Sequence, residues 1–374
     1  MIDSNIFPVI LAGGASSRLW PASNRERPKW DLRLFKAPGA QHEQSLIEGA
    51  WDRARAVAPA GNCFVVCGAE QAPLVRETLK DLLAENLLVE PMPRDTSGAV
   101  AYAAGAILKR LRAPASITEA DARMFVLPGD HVISPVDRFA ECARVSAQTA
   151  SELDALVTFG IVAREPSTAY GYVHRGEEAK LSGATEATPR VFRVNAFKEK
   201  PDAETAKSYL ASGEYYWNGG IFMWSMATLM REFETQLPGH AALARSLSHT
   251  LNAAEWEARA AEQFPELKRI SIDFGIMEHA QSVATVAADF NWDDIGSWSA
   301  VGPYLDEHAE NSLGPETKLI AIDAEKNLVF APGKRVALVD VEGLAVVVNG
   351  DDILICPLAR DQDVKKVSEA AQEK

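Results

Sequence analysis

Cysteine is scarce in this 374-residue chain: Cys63, Cys67, Cys142 and Cys356 are the four, and no two form a CxxC pair. So few thiols build no disulfide framework. Buried free thiols in a reducing, cytoplasmic setting are expected. No uninterrupted apolar run approaches the ~18–20 residues that cross a bilayer. The N-terminus, Met1-Ile2-Asp3-Ser4-Asn5, has neither a basic start nor an apolar signal core. Positive charge is also short: 38 Lys and Arg stand against 52 Asp and Glu, a formal net charge of −14, with no dense basic run. That argues against nucleic acid and anionic membranes as partners, and leaves room for a local cationic pocket taking a small phosphate ligand. Low-complexity tracts are missing too. The ordinary shares of hydrophobic (47%) and charged (24%) residues exclude disordered, collagen-like and disulfide-scaffold chains. At roughly 150 residues per domain, the length fits two or three domains, or one large one with an appendage.

What is present is a regular alternation over the first 160 residues. Ile6 to Ala12 is a nearly continuous apolar run closed by Gly13-Gly14, the pattern of a strand buried on both faces. Short β-runs recur at Phe64 to Cys67, Leu87 to Val89, Met124 to Leu127 and Val157 to Val162. Amphipathic stretches of helical length lie between them, at Leu46 to Val57, Ala72 to Glu85, Thr96 to Leu111 and Val136 to Ala150. This predicts an α/β layer fold with a mostly parallel central sheet, whose ligands bind where loops leave the carboxyl ends of the strands. Further on, Val191 to Phe197 and Ile221 to Trp224 read as strands, and Ala203 to Leu210 and Ala241 to Gln263 as helices. Residues 306–317 read as a linker, dividing a domain at 1–305 from one at 318–374. The last part has short β-runs between turn signals and a helix from about Asp361, which predicts a small all-β, β-helix-like appendage. It lies beyond all the chemical motifs, so it is expected to pack on the catalytic domain or to form a homodimer contact, and its removal near Gly314 to change oligomeric state or stability more than nucleotide affinity.

Several segments carry chemistry. Leu11-Ala12-Gly13-Gly14-Ala15-Ser16-Ser17-Arg18 runs from a strand into glycines, hydroxyls and an arginine. Exposed backbone N–H groups there would cradle phosphate, with Arg18 adding charge-assisted hydrogen bonds; an ordinary glycine-rich turn is the other reading. The segment matches neither GxGxxG nor GxxxxGK[ST]. Eleven residues after Arg18 comes Pro28-Lys29, a second positive group or a solvated basic loop. Leu127-Pro128-Gly129-Asp130-His131 places an aspartate after a core strand, where it would hold Mg²⁺ beside a triphosphate or merely cap a turn. Asn291-Trp292-Asp293-Asp294-Ile295-Gly296 offers two more carboxylates between tryptophans. Phe197-Lys198-Glu199-Lys200-Pro201 sets an acid beside a base, suited to a sugar hydroxyl and a phosphate or to a solvated strand end. Tyr216-Trp217-Asn218-Gly219-Gly220 puts an amide behind aromatics, as sugar recognition or as a packed turn.

Taken in order, these segments resemble the sugar-1-phosphate nucleotidylyltransferase family, in particular its mannose-1-phosphate guanylyltransferase branch. Glu90-Pro91 with Arg94 and Thr96, Ser271-Ile272-Asp273 with Met277-Glu278, and Trp292-x-Asp294-x-Gly296-Ser297-Trp298 complete the set, which spans residues 6 to 300. Ser16, Trp30-Asp31, Asp95 and Ser97-Gly98 depart from the usual family residues. The resemblance implies a Rossmann-like nucleotidyltransferase fold and attack of mannose 1-phosphate on the α-phosphorus of GTP, with pyrophosphate leaving. It implies nucleotide binding by Leu11, Ala12, Gly13, Gly14, Ser17, Arg18, Lys29, Glu90, Arg94, Thr96, Gly129 and Asp130. Arg18 and Lys29 would hold the β and γ phosphates, Asp130 and Asp294 would hold Mg²⁺, and Lys200 would take the sugar phosphate. Gly171, Glu199 and Asn218 would read sugar hydroxyls, with Asp273 supporting the site. Another NTP or hexose 1-phosphate, and a non-catalytic nucleotide-sugar-binding paralogue, are the alternatives. A glycosyltransferase would need a DxD metal motif, and Asp121-Ala122-Arg123 and Asp361-Gln362-Asp363 offer only loose matches. The seven histidines form no HxH cluster, so no isomerase activity is expected. A homodimer through the C-terminal domain is a possible assembly.

Overall fold

The computed structural model describes residues 2–14, 17–24, 26–36, 43–112 and 117–372. They fall into two compact units, each discontinuous in sequence.

The first unit comprises residues 1–12, 51–128 and 133–292. Its centre is one nine-stranded sheet: β1 (Ile6–Leu11), β2 (Phe64–Gly68), β3 (Leu87–Glu90), β4 (Arg123–Pro128), β5 (Leu156–Val162), β6 (Tyr172–Ala179), β7 (Val191–Lys198), β8 (Tyr215–Ser225) and β9 (Val283–Ala287), in the order β3-β2-β1-β4-β8-β5-β9-β7-β6. The strands β3, β2, β1 and β4 are mutually parallel, as the alternation predicts. Antiparallel β8 then enters beside β4, and the rest of the sheet is mixed. Ile6, Val9 and Ile10 are fully buried, which is why β1 lacks polar alternation. Helix α1 (Asp95–Leu111) contributes Val100, Ala101, Ala103, Ala104 and Ile107 to the principal core, which also takes in Phe64, Met124, Trp224, Phe233 and Phe264.

Several expectations are corrected. The Ala241 to Gln263 helix is two helices, α2 (Pro238–Ser248) and α3 (Ala253–Gln263). The chain breaks there because Asn252 caps α3, its Oδ1 accepting from Glu255 N–H at 3.0 Å. The Tyr216 to Gly220 stretch is not a turn but the first half of β8, with an irregularity in its pairing between Asn218 and Phe222. The helix expected from Thr96 starts one residue earlier, at Asp95, and no side chain caps it. The strand β6 escaped the sequence reading because Tyr172–Ala179 is mostly polar beyond its first two residues.

The second unit comprises residues 13–50, 129–132 and 293–374. The expected linker carries two short antiparallel strands, Asp306–His308 and β10 (Asn311–Leu313). After them the chain coils as a solenoid through β11 (Lys318–Ile322), β12 (Leu328–Phe330), β13 (Arg335–Val339) and β14 (Leu344–Asn349). β10, β12 and β14 form one parallel ladder, and β11 and β13 a second. Antiparallel β15 (Asp352–Pro357) closes the first ladder, and α4 (Val364–Gln372) follows. Ala324, Val329, Ala331, Leu338 and Val346 pack together as a small solenoid core. The buried pair Asn311 and Asn327 runs beside it: Asn327 Nδ2 donates to Asn311 Oδ1 at 2.9 Å, and Leu344 N–H donates to Asn327 Oδ1 at 2.9 Å. These amides satisfy polar groups that the buried turns leave open.

A larger core in this unit joins Leu328, Phe330, Ala345, Val347, Leu354 and Val364 to Leu19, Leu32, Leu34, Ile295 and Trp298. Helix α4 packs on Ser17–Leu19, and Asn349 Nδ2 donates to Pro21 O at 2.7 Å. The solenoid therefore shares its core with the Arg18 and Lys29 segments.

Candidate active site

The second unit holds Gly13, Gly14, Ser17, Arg18, Lys29, Asp130 and Asp294, while Ala15 and Ser16 lie outside the described residues. Ala12 N–H is already spent on Val66 O at 2.8 Å, so any backbone cradle begins at Gly13. Gly13 and Gly14 are exposed, and Gly14 has φ +94°, a conformation that side chains other than glycine's strain to adopt. Ser17 and Arg18 are half-buried in a short 3₁₀ turn. Lys29 is not in a solvated basic loop: it is only 6% exposed, beside fully buried Trp30. Its Nζ lies 2.7 Å from Asp130 Oδ2 and also donates to the Asp294 carbonyl. A methyl built on Gly296 would sit 3.4 Å from both Asp294 carboxylate oxygens and 3.6 Å from an Arg18 guanidinium nitrogen. Arg18 and Asp294 thus face one small space.

Burial alone would raise the Asp130 carboxyl. The charges of Lys29 and His131 and the Lys29 hydrogen bond outweigh it, and the pKa falls below the usual carboxylate value. Asp130 is therefore an ionised acceptor and not a simple turn cap. Its neighbour in sequence, Gly129, is buried. Asp293 does cap a turn: its Oδ1 accepts from Ile295 N–H at 2.7 Å and its Oδ2 from Tyr304 Oη at 3.2 Å. Of the two adjacent aspartates, it is Asp294 that faces Arg18. Among the described residues no three His, Cys, Asp or Glu side chains form a metal-holding cluster. Two hard carboxylates are nonetheless what Mg²⁺ takes from a protein when phosphate and water complete its shell.

The first unit holds the sugar-motif residues. Glu199 follows β7, with its Oε1 2.9 Å from Lys200 Nζ and its N–H donating to Glu278 Oε1 at 3.1 Å. Its Oε2 is buried with no hydrogen-bond partner among the described residues. A Cβ on Gly171 would fall 2.3 Å from that Oε2 and 3.3 Å from Asn218 Cβ, so any larger residue there would displace the Glu199 carboxylate. Gly171 O accepts from Asn218 N–H at 2.8 Å. Asn218 Nδ2 donates to Asp273 Oδ1 at 2.8 Å, and its Oδ1 accepts from Thr158 Oγ1 at 2.8 Å and Gly220 N–H at 3.3 Å. Burial, and then the Glu199 charge, push the Asp273 carboxyl up to about 7. Tyr170 packs edge-on against Trp217 and Trp292, with centroids 5.0 and 5.2 Å apart, forming an aromatic corner near this group.

Also in this unit, Glu90 ends β3 with Oε1 buried and unpartnered among the described residues. Burial and Asp95 push its carboxyl up to about 7. Arg94 and Thr96 are already engaged. Arg94 donates to the Phe264 and Pro265 carbonyls, and Thr96 Oγ1 accepts from Ile272 N–H at 2.8 Å. Thr158 and Tyr170 were missed by sequence reasoning. A threonine inside a strand signals only β-propensity, and Tyr170 belongs to no motif.

A family model described as nucleotidyl transferase matches residues 7–310. The chain belongs to the nucleotidyl transferase family. Residues 317–370 of this nucleotidyl transferase match a model described as a mannose-phosphate isomerase/GMP-like β-helix domain. The chain is 35% identical over 372 residues to a mannose-1-phosphate guanylyltransferase of Escherichia coli (strain K12), covering 99% of this chain and 74% of the relative. It is 34% identical to the mannose-1-phosphate guanylyltransferase ManC of Salmonella typhimurium, covering 99% and 74%. A crystal structure described as mannose-1-phosphate geranyltransferase from Thermus thermophilus superposes with a TM-score of 0.83 at 29% identity, over 98% of this chain and 99% of that one.

Proposed function

We propose that the protein transfers the guanylyl group of GTP to mannose 1-phosphate, releasing pyrophosphate and forming GDP-mannose. The observation that carries this reading is the Arg18, Lys29, Asp130 and Asp294 cluster in a nucleotidyl transferase chain similar to mannose-1-phosphate guanylyltransferases. A phosphate oxygen of the sugar substrate attacks the α-phosphorus, a bond forms there, and the bond to the bridging oxygen breaks. The electron pair leaves with pyrophosphate. No side-chain nucleophile takes part, so positioning and charge do the work.

Gly13 and Gly14 offer backbone N–H groups to the nucleotide phosphates, with Ser17 beside them. Arg18 and Lys29 hold the β and γ phosphates and stabilise the charge that grows on pyrophosphate. Asp130 and Asp294 would hold Mg²⁺, which supplies charge neutralisation on phosphate oxygens when bound. Lys200, 60% exposed, takes the phosphate of the sugar substrate. Glu199 supplies an acceptor and Asn218 a donor to sugar hydroxyls. Glu90 Oε1, unpartnered among the described residues, suits the N–H groups of a guanine edge, while Arg94 and Thr96 brace the segment that carries it.

Free Cys63, Cys67 and Cys142 are buried with thiols pushed up to about 12, which suits a reducing cytoplasm. No described helix is long and apolar enough to cross a membrane. Ile320, Ile322 and Val339 lie exposed on the β11–β13 ladder, with Ile322 and Val339 directly paired, and favour a homodimer contact with a second copy there. Pyrophosphate release from four NTPs against several hexose 1-phosphates tests the reaction. GTP with mannose 1-phosphate is expected to lead every other pair by about tenfold or more, roughly 1.4 kcal/mol. Equal turnover with UTP or glucose 1-phosphate would overturn the guanylyl and mannose assignments.

A further inference from the structure

The Ser271-Ile272-Asp273…Met277-Glu278 motif enters the account above only through the expectation that Asp273 supports the site. Its backbone supplies a role. Asp273–Met277 forms a single π-helical turn, closed by Glu278 N–H donating to Asp273 O at 3.0 Å. Such wide turns are rare and gather at functional sites. This one turn places two carboxylates. Glu278 Oε1 accepts the Glu199 N–H, and Asp273 Oδ1 accepts from Asn218 Nδ2. The turn is itself anchored, since Ile272 N–H donates to Thr96 Oγ1 and Ser97 Oγ donates to Ile270 O at 2.6 Å.

A carboxamide has two donor hydrogens on nitrogen and two acceptor lone pairs on oxygen. In Asn218 both lone pairs are taken, by Thr158 Oγ1 and Gly220 N–H, and one hydrogen is given to Asp273. One N–H remains. The amide would be equally at home in the flipped orientation if its surroundings did not choose, and the choice is made by a donor on one side and a carboxylate on the other. We propose that Asp273 is a positioning residue for the transfer reaction, which fixes Asn218 as a hydrogen-bond donor, and never an acceptor, toward the sugar. The inference rests on the reading of Asn218 and Glu199 as sugar contacts. Buried Glu199 Oε2 then supplies the matching acceptor, so the pair reads a hydroxyl oxygen on one side and a hydroxyl hydrogen on the other. The cost of this arrangement is a buried acid next to another, and the raised Asp273 carboxyl reflects it.

The test uses the full chain with GTP and mannose 1-phosphate, measuring KM for each substrate, kcat and the melting temperature. Asp273→Leu removes the acceptor, and isosteric Thr158→Val removes the donor that pins the opposite side. Each is expected to raise KM for mannose 1-phosphate by about tenfold or more, the scale of a lost polar contact, with KM for GTP within about twofold. Asp273→Asn keeps an acceptor oxygen and is expected to recover the sugar KM to within about threefold. If Asp273→Leu fails to fold, Thr158→Val and Asp273→Asn decide. Asn218→Ala separates the two readings. If Asn218→Ala leaves the sugar KM unchanged, the sugar-contact assignment is wrong. If it raises that KM while Asp273→Leu and Thr158→Val do not, the positioning role alone is wrong. Parallel loss for both substrates in all variants would mean a merely structural role.

Discussion

At the residue scale, the adjacent aspartates 293 and 294 show how little a sequence separates two groups that a fold sets apart. Asp293 is spent on Ile295 and Tyr304, while Asp294 faces Arg18. Asp130→Asn and Asp294→Asn are each expected to lower pyrophosphate release by about a hundredfold or more, roughly 2.7 kcal/mol. Asp293→Asn is expected to cost far less, and circular dichroism should report all three as folded. A dispensable Asp294 beside an essential Asp293 would shift the register of this loop by one. Glu90 makes a different prediction. Its carboxyl rises from 4.5 to about 7 on folding, so between those values the native chain holds a proton that the unfolded chain has released. Stability is therefore lost as pH rises through that window. Glu90→Gln should melt like the parent near pH 4 and higher than it at pH 8, by an amount on the order of 2 kcal/mol. Calorimetry at the two pH values checks the sign; a variant less stable at pH 8 would contradict it.

At the scale of elements, the parallel strands β1 to β4 were legible because each is a short apolar run bounded by glycine or turn residues. So was the solenoid, whose Pro332-Gly333 and Glu342-Gly343 turns space its rungs and whose Asn349-Gly350 turn leads into the closing antiparallel strand. Hidden from view were β6, whose mostly polar residues suggest no strand, and the break between α2 and α3, marked by a single capping asparagine. The Asn311–Asn327 pair was hidden as well. Asparagine signals a turn in sequence, yet here it is a buried crosslink from one rung to the next. Asn327→Leu would strand the Leu344 N–H, while the Val341 carbonyl would keep only the Glu325 N–H and Asn311 Oδ1 only the backbone N–H of residue 327. A loss of about 1–3 kcal/mol is expected, read as a fall in the denaturation midpoint. No measurable change would show that water replaces the amide.

At the scale of the whole molecule, the core that joins Phe330, Val347 and Val364 to Leu19, Leu32 and Trp298 makes the solenoid a support for the Arg18 and Lys29 segments. Truncation after Gly314 strips those residues of their partners. It is expected to lower the melting temperature and to weaken GTP binding by about tenfold or more, roughly 1.4 kcal/mol. Unchanged GTP affinity in a folded truncation would return the solenoid to an independent role. Ile322→Lys tests assembly separately: it is expected to shift the chain to a monomer in sedimentation with kcat retained.

The sequence by itself determined the strand-and-turn order, the chemical types at each motif and the family, because these are written within a few neighbouring residues. Periodicity and residue type suffice to place a glycine turn after a buried strand or an acid beside a base. Only the tertiary structure decided that Lys29 is buried on Asp130, that Asn218 presents a donor, that Glu90 and Asp273 hold raised carboxyls, and that the solenoid shares a core with the phosphate loop. Each of these depends on what lies against a side chain, and those neighbours come from stretches tens to hundreds of residues away. Burial and partner choice set a group's charge and direction, and neither is a property of the residue alone.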